Sequence, residues 1–205
     1  MWKFVLVCLL WLPLHGSPAR AQDATDQLLE SLSGMQELSG RFRQRQYGED
    51  GELVMESLGR FRLLRPGYFS WDIESPGSQL IIADPDGVWH FDRDLETASR
   101  RPADTGDGMS PLQVLGGNDA ALRDGYSVSV LGEGVFRLVP LSATPGFRQL
   151  QVTLREYLIE SMQIVDNLNQ RVDIDFGELR VDSGLTPEDF SFKPPEGVDV
   201  FYYDQ

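Results

Sequence analysis

The residue types that usually carry nucleophilic, acid–base or metal chemistry are scarce in this chain. It has two histidines, His15 and His90, and one cysteine, Cys8. His90 lies in "VWHFD" (88–92), where it shares strand parity with Val88 while Trp89 and Phe91 share the other. That is the setting of a packed or surface strand residue, and no serine motif accompanies it. Carboxylates are plentiful, 32 against 18 lysines and arginines. Yet "DPDG" (84–87) and "DTGDG" (104–108) are too short and sparse for a twelve-residue calcium loop and read as a turn and a loop. No carboxylate spacing points to a glycosidase pair, and no glycine-rich phosphate signature follows a strand. These patterns favour binding over catalysis.

The densest candidate for binding is "FRLLRPGYFSWDI" (61–73), which sets four aromatic residues and two arginines side by side. Arg65 precedes a proline, and Phe69, Trp71 and Ile73 then share one parity, so a strand would present them on one face. An arginine next to such a face needs partners, because a buried charge without them is costly.

Several elements must hold that segment. Asp23 to Leu38 predicts an amphipathic helix, with Thr25 or Asp26 as cap, Leu28, Leu29, Leu32, Met35 and Leu38 as its apolar stripe, and Gly40 beyond its end. Period two follows: 39–47, a turn at "GEDG" (48–51), 52–64 with Gly59 as a bend or bulge, then 68–76, 78–83 and 87–92. The polar stretch 93–109 reads as a long loop. Ser110-Pro111 has the form of a helix start, giving a short helix with Leu112 and Leu115 on one side and Gly116-Gly117 at its end, and 119–125 adds another turn. From Tyr126 the strands resume up to residue 182, and Pro194-Pro195 bar a regular strand interior near the end. Many long strands and few helices suit a curved, barrel-like antiparallel sheet, with the mid-chain helices near one mouth.

The first 21 residues read as a secretory signal peptide, cut before Gln22: Lys3, an apolar run from Phe4 to Leu14, and Ala19-Arg20-Ala21 at the cleavage site. The apolar run is too short for a membrane anchor. Residues 22–205 then form a single domain. Cys8 and His15 depart with the leader, as do Lys3 and Arg20, so the formal charge becomes two units more negative than −14. So acidic a chain is unsuited to gripping nucleic-acid backbones or anionic membranes.

At "LRPGYFSWDIESP" the chain resembles the periplasmic outer-membrane lipoprotein carrier proteins, the LolA family, through the pattern arginine, proline, two variable residues, phenylalanine, one variable residue, tryptophan. The resemblance extends over "MQELSGRFRQ", "LIIADPDGVWHFD", "SPLQVLGG" and "FSFKPPEGVDV". It implies an incomplete, strongly curved antiparallel β-barrel around an apolar cavity, covered by a helical lid. It also implies a monomeric periplasmic chaperone without enzymatic activity or cofactor. Such a protein takes triacylated lipoproteins from an inner-membrane ATP-binding-cassette exporter and hands them to an outer-membrane receptor. That receptor carries its own lipid-bearing cysteine; this chain has none after the leader, which matches the carrier. By the same resemblance Arg65 is the lid latch, and Phe69 and Trp71 match the family's aromatics and, together with Ile73, line the acyl-chain cavity or its rim; Leu112 and Leu115 on the mid-chain helix are the lid candidates.

Overall fold

The computed structural model describes residues 19–102, 116, 119–141 and 146–203. Among them the chain forms helix α1 (Ala19–Ser33) and six strands, β1 (Glu37–Tyr47), β2 (Leu53–Leu64), β3 (Tyr68–Ser75), β4 (Gln79–Asp84), β5 (Gly87–Asp92) and β6 (Thr97–Pro102). Helix α2 (Asp119–Gly125) is followed by β7 (Tyr126–Gly132), β8 (Val135–Pro140), β9 (Phe147–Arg155), β10 (Leu158–Asp166) and β11 (Arg171–Val181). A short 3-10 helix (Pro187–Phe190) and β12 (Asp199–Tyr202) close it. Leu112 and Leu115 lie outside the described residues, as does the 103–109 part of the long loop.

All twelve strands belong to one sheet, ordered β12-β6-β5-β4-β3-β2-β1-β11-β10-β9-β8-β7. Two meanders, β1 to β6 and β7 to β11, are joined by the long antiparallel pairing of β1 with β11. The sheet is open: β7 and β12 form its two edges. One core nevertheless contains Leu28 and Leu32 of α1, Trp71 of β3, Leu138 of β8, Leu150 of β9 and Ile174 of β11. Strands so far apart in the sheet share a core because the sheet curves around the helix and directs alternate side chains inward.

Four expectations need correction. The apolar stripe of α1 ends earlier than its periodicity suggests: the helix stops at Ser33, Met35 N–H closes a turn onto the Leu32 carbonyl at 3.0 Å, and buried Leu38 belongs to β1. Gly34 supplies the break, since glycine is a poor helix residue. Thr25 and Asp26 lie inside α1 rather than at its cap. Residues 97–102, read as loop, are strand β6. Only Ala98 among them is a buried apolar residue, and the guanidinium of Arg100 covers Trp89 at 5.7 Å, so an arginine stands where a hydrophobic residue would have signalled a strand. Finally, the sheet is not wholly antiparallel, because β12 pairs with β6 in parallel.

The outer side of β4–β6 carries a smaller core of Trp89, Phe91 and Ala98, packed by Leu80, Phe192, Val198 and Val200. The C-terminal segment thereby covers aromatic residues that period two directs away from the concave face. Strand β12 begins only after the paired prolines, consistent with their missing amide donors.

Gly59 sets the shape of the motif region. The β2–β3 register shifts between Leu58 and Gly59, as expected of a bulge. A Cβ there would sit 2.1 Å from the Asp72 carbonyl oxygen and 2.5 Å from Phe42 Cζ. The missing side chain lets Phe42 lie over the strand and stack on Trp71, ring centroids 3.5 Å apart. Gly59→Ala should cost about 1–3 kcal/mol, the usual penalty for overpacking. Urea unfolding of the variant checks this; an unchanged midpoint would show that the backbone opens freely at this point.

Candidate functional site

The segment from Arg65 to Ile73 begins at the β2–β3 turn and continues along β3. Phe69 and Trp71 are buried on the concave face, 3% and 2% exposed, and Ile73 is half-buried against the same core. Trp71 is the hub of a larger aromatic group. Its ring lies 5.9 Å from Phe69, 6.2 Å from Phe61 and 6.2 Å from Phe176 of β11, and Phe61 meets Phe176 edge-on at 5.1 Å. Stacked and edge-to-face pairs at such distances add to the stabilisation from burial. Phe42, Phe61 and Phe176 were not singled out from the sequence. Their signal was present in the alternation of "GRFRQ", "GRFRLL" and "DIDFGEL", whose central phenylalanines share one parity with the inward residues of their strands.

Arg65 lies just beyond β2. Its amide donates to the Gln36 carbonyl at 2.9 Å, and two residues later the Gly67 amide donates to the Gly116 carbonyl at 2.8 Å. The turn therefore touches the chain between β6 and α2, the same connection that contains Leu112 and Leu115. Burial lowers the pKa of the Arg65 guanidinium from the usual arginine value, and the carboxylate of Asp119, at the start of α2, opposes the shift. Sequence alone did not pair Arg65 with Asp119, because the two lie on different elements joined only by the fold.

On the outer side of the same strands, Phe190 of the 3-10 helix is fully buried, 5.6 Å from the Tyr68 ring and 5.7 Å beneath the Arg62 guanidinium. Asp189 closes this helix by accepting from Thr186 N–H at 2.8 Å and Thr186 Oγ1 at 3.2 Å. Those two bonds, with a smaller contribution from Arg62, hold its pKa below the usual aspartate value. Asp92 behaves alike at the β5–β6 turn, chiefly through Leu95 N–H and then through Gln79 and Asp94.

Among the described residues no group of three or more His, Cys, Asp or Glu is placed to hold a metal ion. No described helix is long and apolar enough to cross a membrane. What the motif residues build is an apolar, aromatic concave surface bordered at one end by a cation and a backbone link to the mid-chain connection.

Solved structures share this architecture. A LolA superfamily protein from Nitrosomonas europaea superposes with a TM-score of 0.53 over 84% of this chain and 98% of its own, at 12% identity. A conserved protein from Thermus thermophilus does so with a TM-score of 0.53 over 89% and 99%, at 16% identity. These likenesses define the fold. Sequence adds the family: residues 33–193 match the outer membrane lipoprotein carrier protein LolA family, and the chain belongs to it. An outer-membrane lipoprotein carrier protein of Alcanivorax borkumensis is 35% identical over 92% of this chain and 92% of its own length. One of Chromohalobacter salexigens is 34% identical over 97% and 95%.

Both depressed aspartates contribute stability that is present above their unfolded pKa of about 4 and is lost as pH falls through their lower folded values. An Asp92→Asn, Asp189→Asn double variant should therefore lose less of its urea midpoint below about pH 4 than the unmodified protein. Parallel pH profiles would show that neither turn is linked to folding.

Proposed function

We propose that this protein is a periplasmic chaperone that takes triacylated lipoproteins released from the inner membrane and delivers them to a receptor in the outer membrane. The observation that carries this reading is family membership over most of the chain, with relatives named as outer-membrane lipoprotein carriers. Residues 1–21 act as the signal peptide in this reading, and residues 22–205 form the carrier. An ATP-binding-cassette exporter supplies the cargo.

The physical problem is to keep hydrocarbon dry and still release it. Three acyl chains of about fifteen buried methylenes each, at roughly 0.8 kcal/mol per CH₂, give a gross gain of tens of kcal/mol. That exceeds what non-covalent complexes reach as net affinity, so opening the protein must cost free energy that opposes binding. The aromatic concave face suits the acyl chains. Phe69, Trp71 and Ile73 line it, and since Phe69 and Trp71 are buried in the present arrangement, cargo enters by displacing what now packs on them. The connection bearing Leu112 and Leu115 acts as the lid.

Arg65 latches that lid. The Gly67–Gly116 bond and the Arg65–Asp119 attraction support this role, because both link the motif turn to the lid connection. Arginine's fork of donors can satisfy several acceptors at once and exchange them when the lid moves.

Mature protein incubated with spheroplasts of its host, followed by native mass spectrometry of the soluble fraction, tests the function. A one-to-one complex with triacylated lipoprotein is the expected product. Free lipid alone would instead assign a lipid binder, and an empty protein with lipoproteins left on the membrane would remove the carrier role. Arg65→Leu should still accept cargo but release it to receptor at least about tenfold more slowly, equivalent to about 1.4 kcal/mol. Unaltered loading and release would contradict the latch.

A further inference from the structure

The convex face of β11, β1 and β2 contains a feature that acyl-chain transport does not use. A pocket of about 440 Å³, within the size range of small-ligand sites, opens there on the side of the sheet opposite the aromatic cluster. Its lining includes Arg41, Arg60, Arg62 and Arg180, against Asp72 and Glu178. A concentration of four cations is unexpected in a chain of net charge −14.

Strand register explains how the pocket forms. Ser39 of β1 is the direct partner of Arg62 on one neighbouring strand and of Arg180 on the other. A short side chain thus separates two long ones, and Ser70 repeats the pattern opposite Arg62. The floor is made of serines and backbone, and the walls are guanidinium groups. Arg41 and Arg60, which face each other across β1 and β2, are both neutralised by Glu74, at 2.8 Å and 2.5 Å. Asp72 is likewise engaged by Arg93 at 2.9 Å. The two arginines that flank Ser39 are different. Arg62 lies over the Phe190 ring and has one long ion pair, with Asp189 at 3.9 Å, and among the described residues Arg180 is in none of the ion pairs.

We propose that this pocket binds the phosphate group of a small phosphate ester, held between Arg62 and Arg180 above the Ser39 hydroxyl. Two planar guanidinium forks can take the phosphate oxygens in pairs, the geometry in which arginine exceeds lysine. Ser183 Oγ donates to the Arg180 carbonyl at 3.3 Å, so Ser39 Oγ, 3.1 Å away, donates to Ser183, and it turns to donate to a phosphate oxygen when the ester binds. Glu178 on the rim accepts from a hydroxyl or ammonium carried by the ester, which favours a zwitterionic or polyol ester over a multiply charged anion. Phosphate esters of this chemistry occur as lipid headgroups and as soluble metabolites. Because the pocket faces away from the concave surface, its occupancy is independent of cargo.

Titration calorimetry of the mature protein with phosphoethanolamine, and flotation with phosphatidylethanolamine–phosphatidylcholine vesicles, tests the proposal at low salt, where exposed charges are least screened. Saturable binding of either probe is expected. It should weaken about tenfold or more in Arg62→Gln and Arg180→Gln, which each remove a charge-assisted contact. Ser39→Asp, which places a negative charge on the floor, should abolish it, and Arg155→Gln, on a distant hairpin, should leave it intact. Near-ultraviolet circular dichroism confirms that each variant is folded. Binding in calorimetry alone identifies a soluble ester, and binding in flotation identifies the headgroup. No saturable binding of either probe, or equal weakening by Arg62→Gln and Arg155→Gln, would overturn the proposal.

Discussion

A twelve-stranded sheet that gathers phenylalanine, tryptophan and leucine on one face has to hide that face from water, and every other feature of this fold follows from how it does so. Helix α1 lies across the face with Leu28 and Leu32, helix α2 adds Leu122, and they cover it because the sheet curves around them. Curvature in turn requires places where the backbone can bend. Gly59 is one such place: it tolerates the close approach of Asp72 and leaves room for the Phe42 ring above it. The stack of Phe42 on Trp71 then bridges β1 and β3 over the strand between them. In the proposed function this concave face is also the acyl-chain surface, so cargo competes with the internal packing of Phe69 and Trp71.

The two faces of the sheet divide the work. Alternation sends phenylalanines inward and arginines outward from the same short stretches, "RFRQRQ" on β1 and "GRFRLL" on β2. Outer arginines need counter-charges, and Asp72, Glu74, Asp175 and Asp189 supply most of them. Arg65 stands at the end of this pattern, where β2 leaves the sheet, and its burial beside the mid-chain connection sets it apart from the solvated arginines of the strands. The same residue type therefore plays a surface role on one element and a partly buried role a few positions later.

Much of this was legible in the sequence. Period two placed β2 through β5 within a residue or two and ran on from Tyr126 to residue 182 through β7 to β11, Gly59 read as a bend or bulge, and the shared parity of Phe69, Trp71 and Ile73 put them on one face. Three features were not legible, each for a physical reason. Strand β6 is concealed because Arg100 covers Trp89 with a charged side chain, so no hydrophobic alternation marks it. The parallel β6–β12 pairing depends on residues about a hundred positions apart, beyond any local signal. The approach of Asp119 to Arg65 and the Gly67–Gly116 link are likewise consequences of topology, whereas the end of α1 at Gly34 is a local feature outweighed by the strong leucine stripe.

In the proposed function acyl chains occupy the concave face and not the outer aromatic cluster. The chain from Gln22 onward has two tryptophans, and they report on opposite sides: Trp71 in the concave core, Trp89 in the outer one. Single-tryptophan proteins made by Trp89→Phe or Trp71→Phe can be loaded with a lipoprotein whose acyl chains carry bromine, a contact quencher of indole fluorescence. Strong quenching of Trp71 and little of Trp89 are expected. Quenching of Trp89 with Trp71 left bright would place the lipid on the wrong side of the sheet and contradict that expectation.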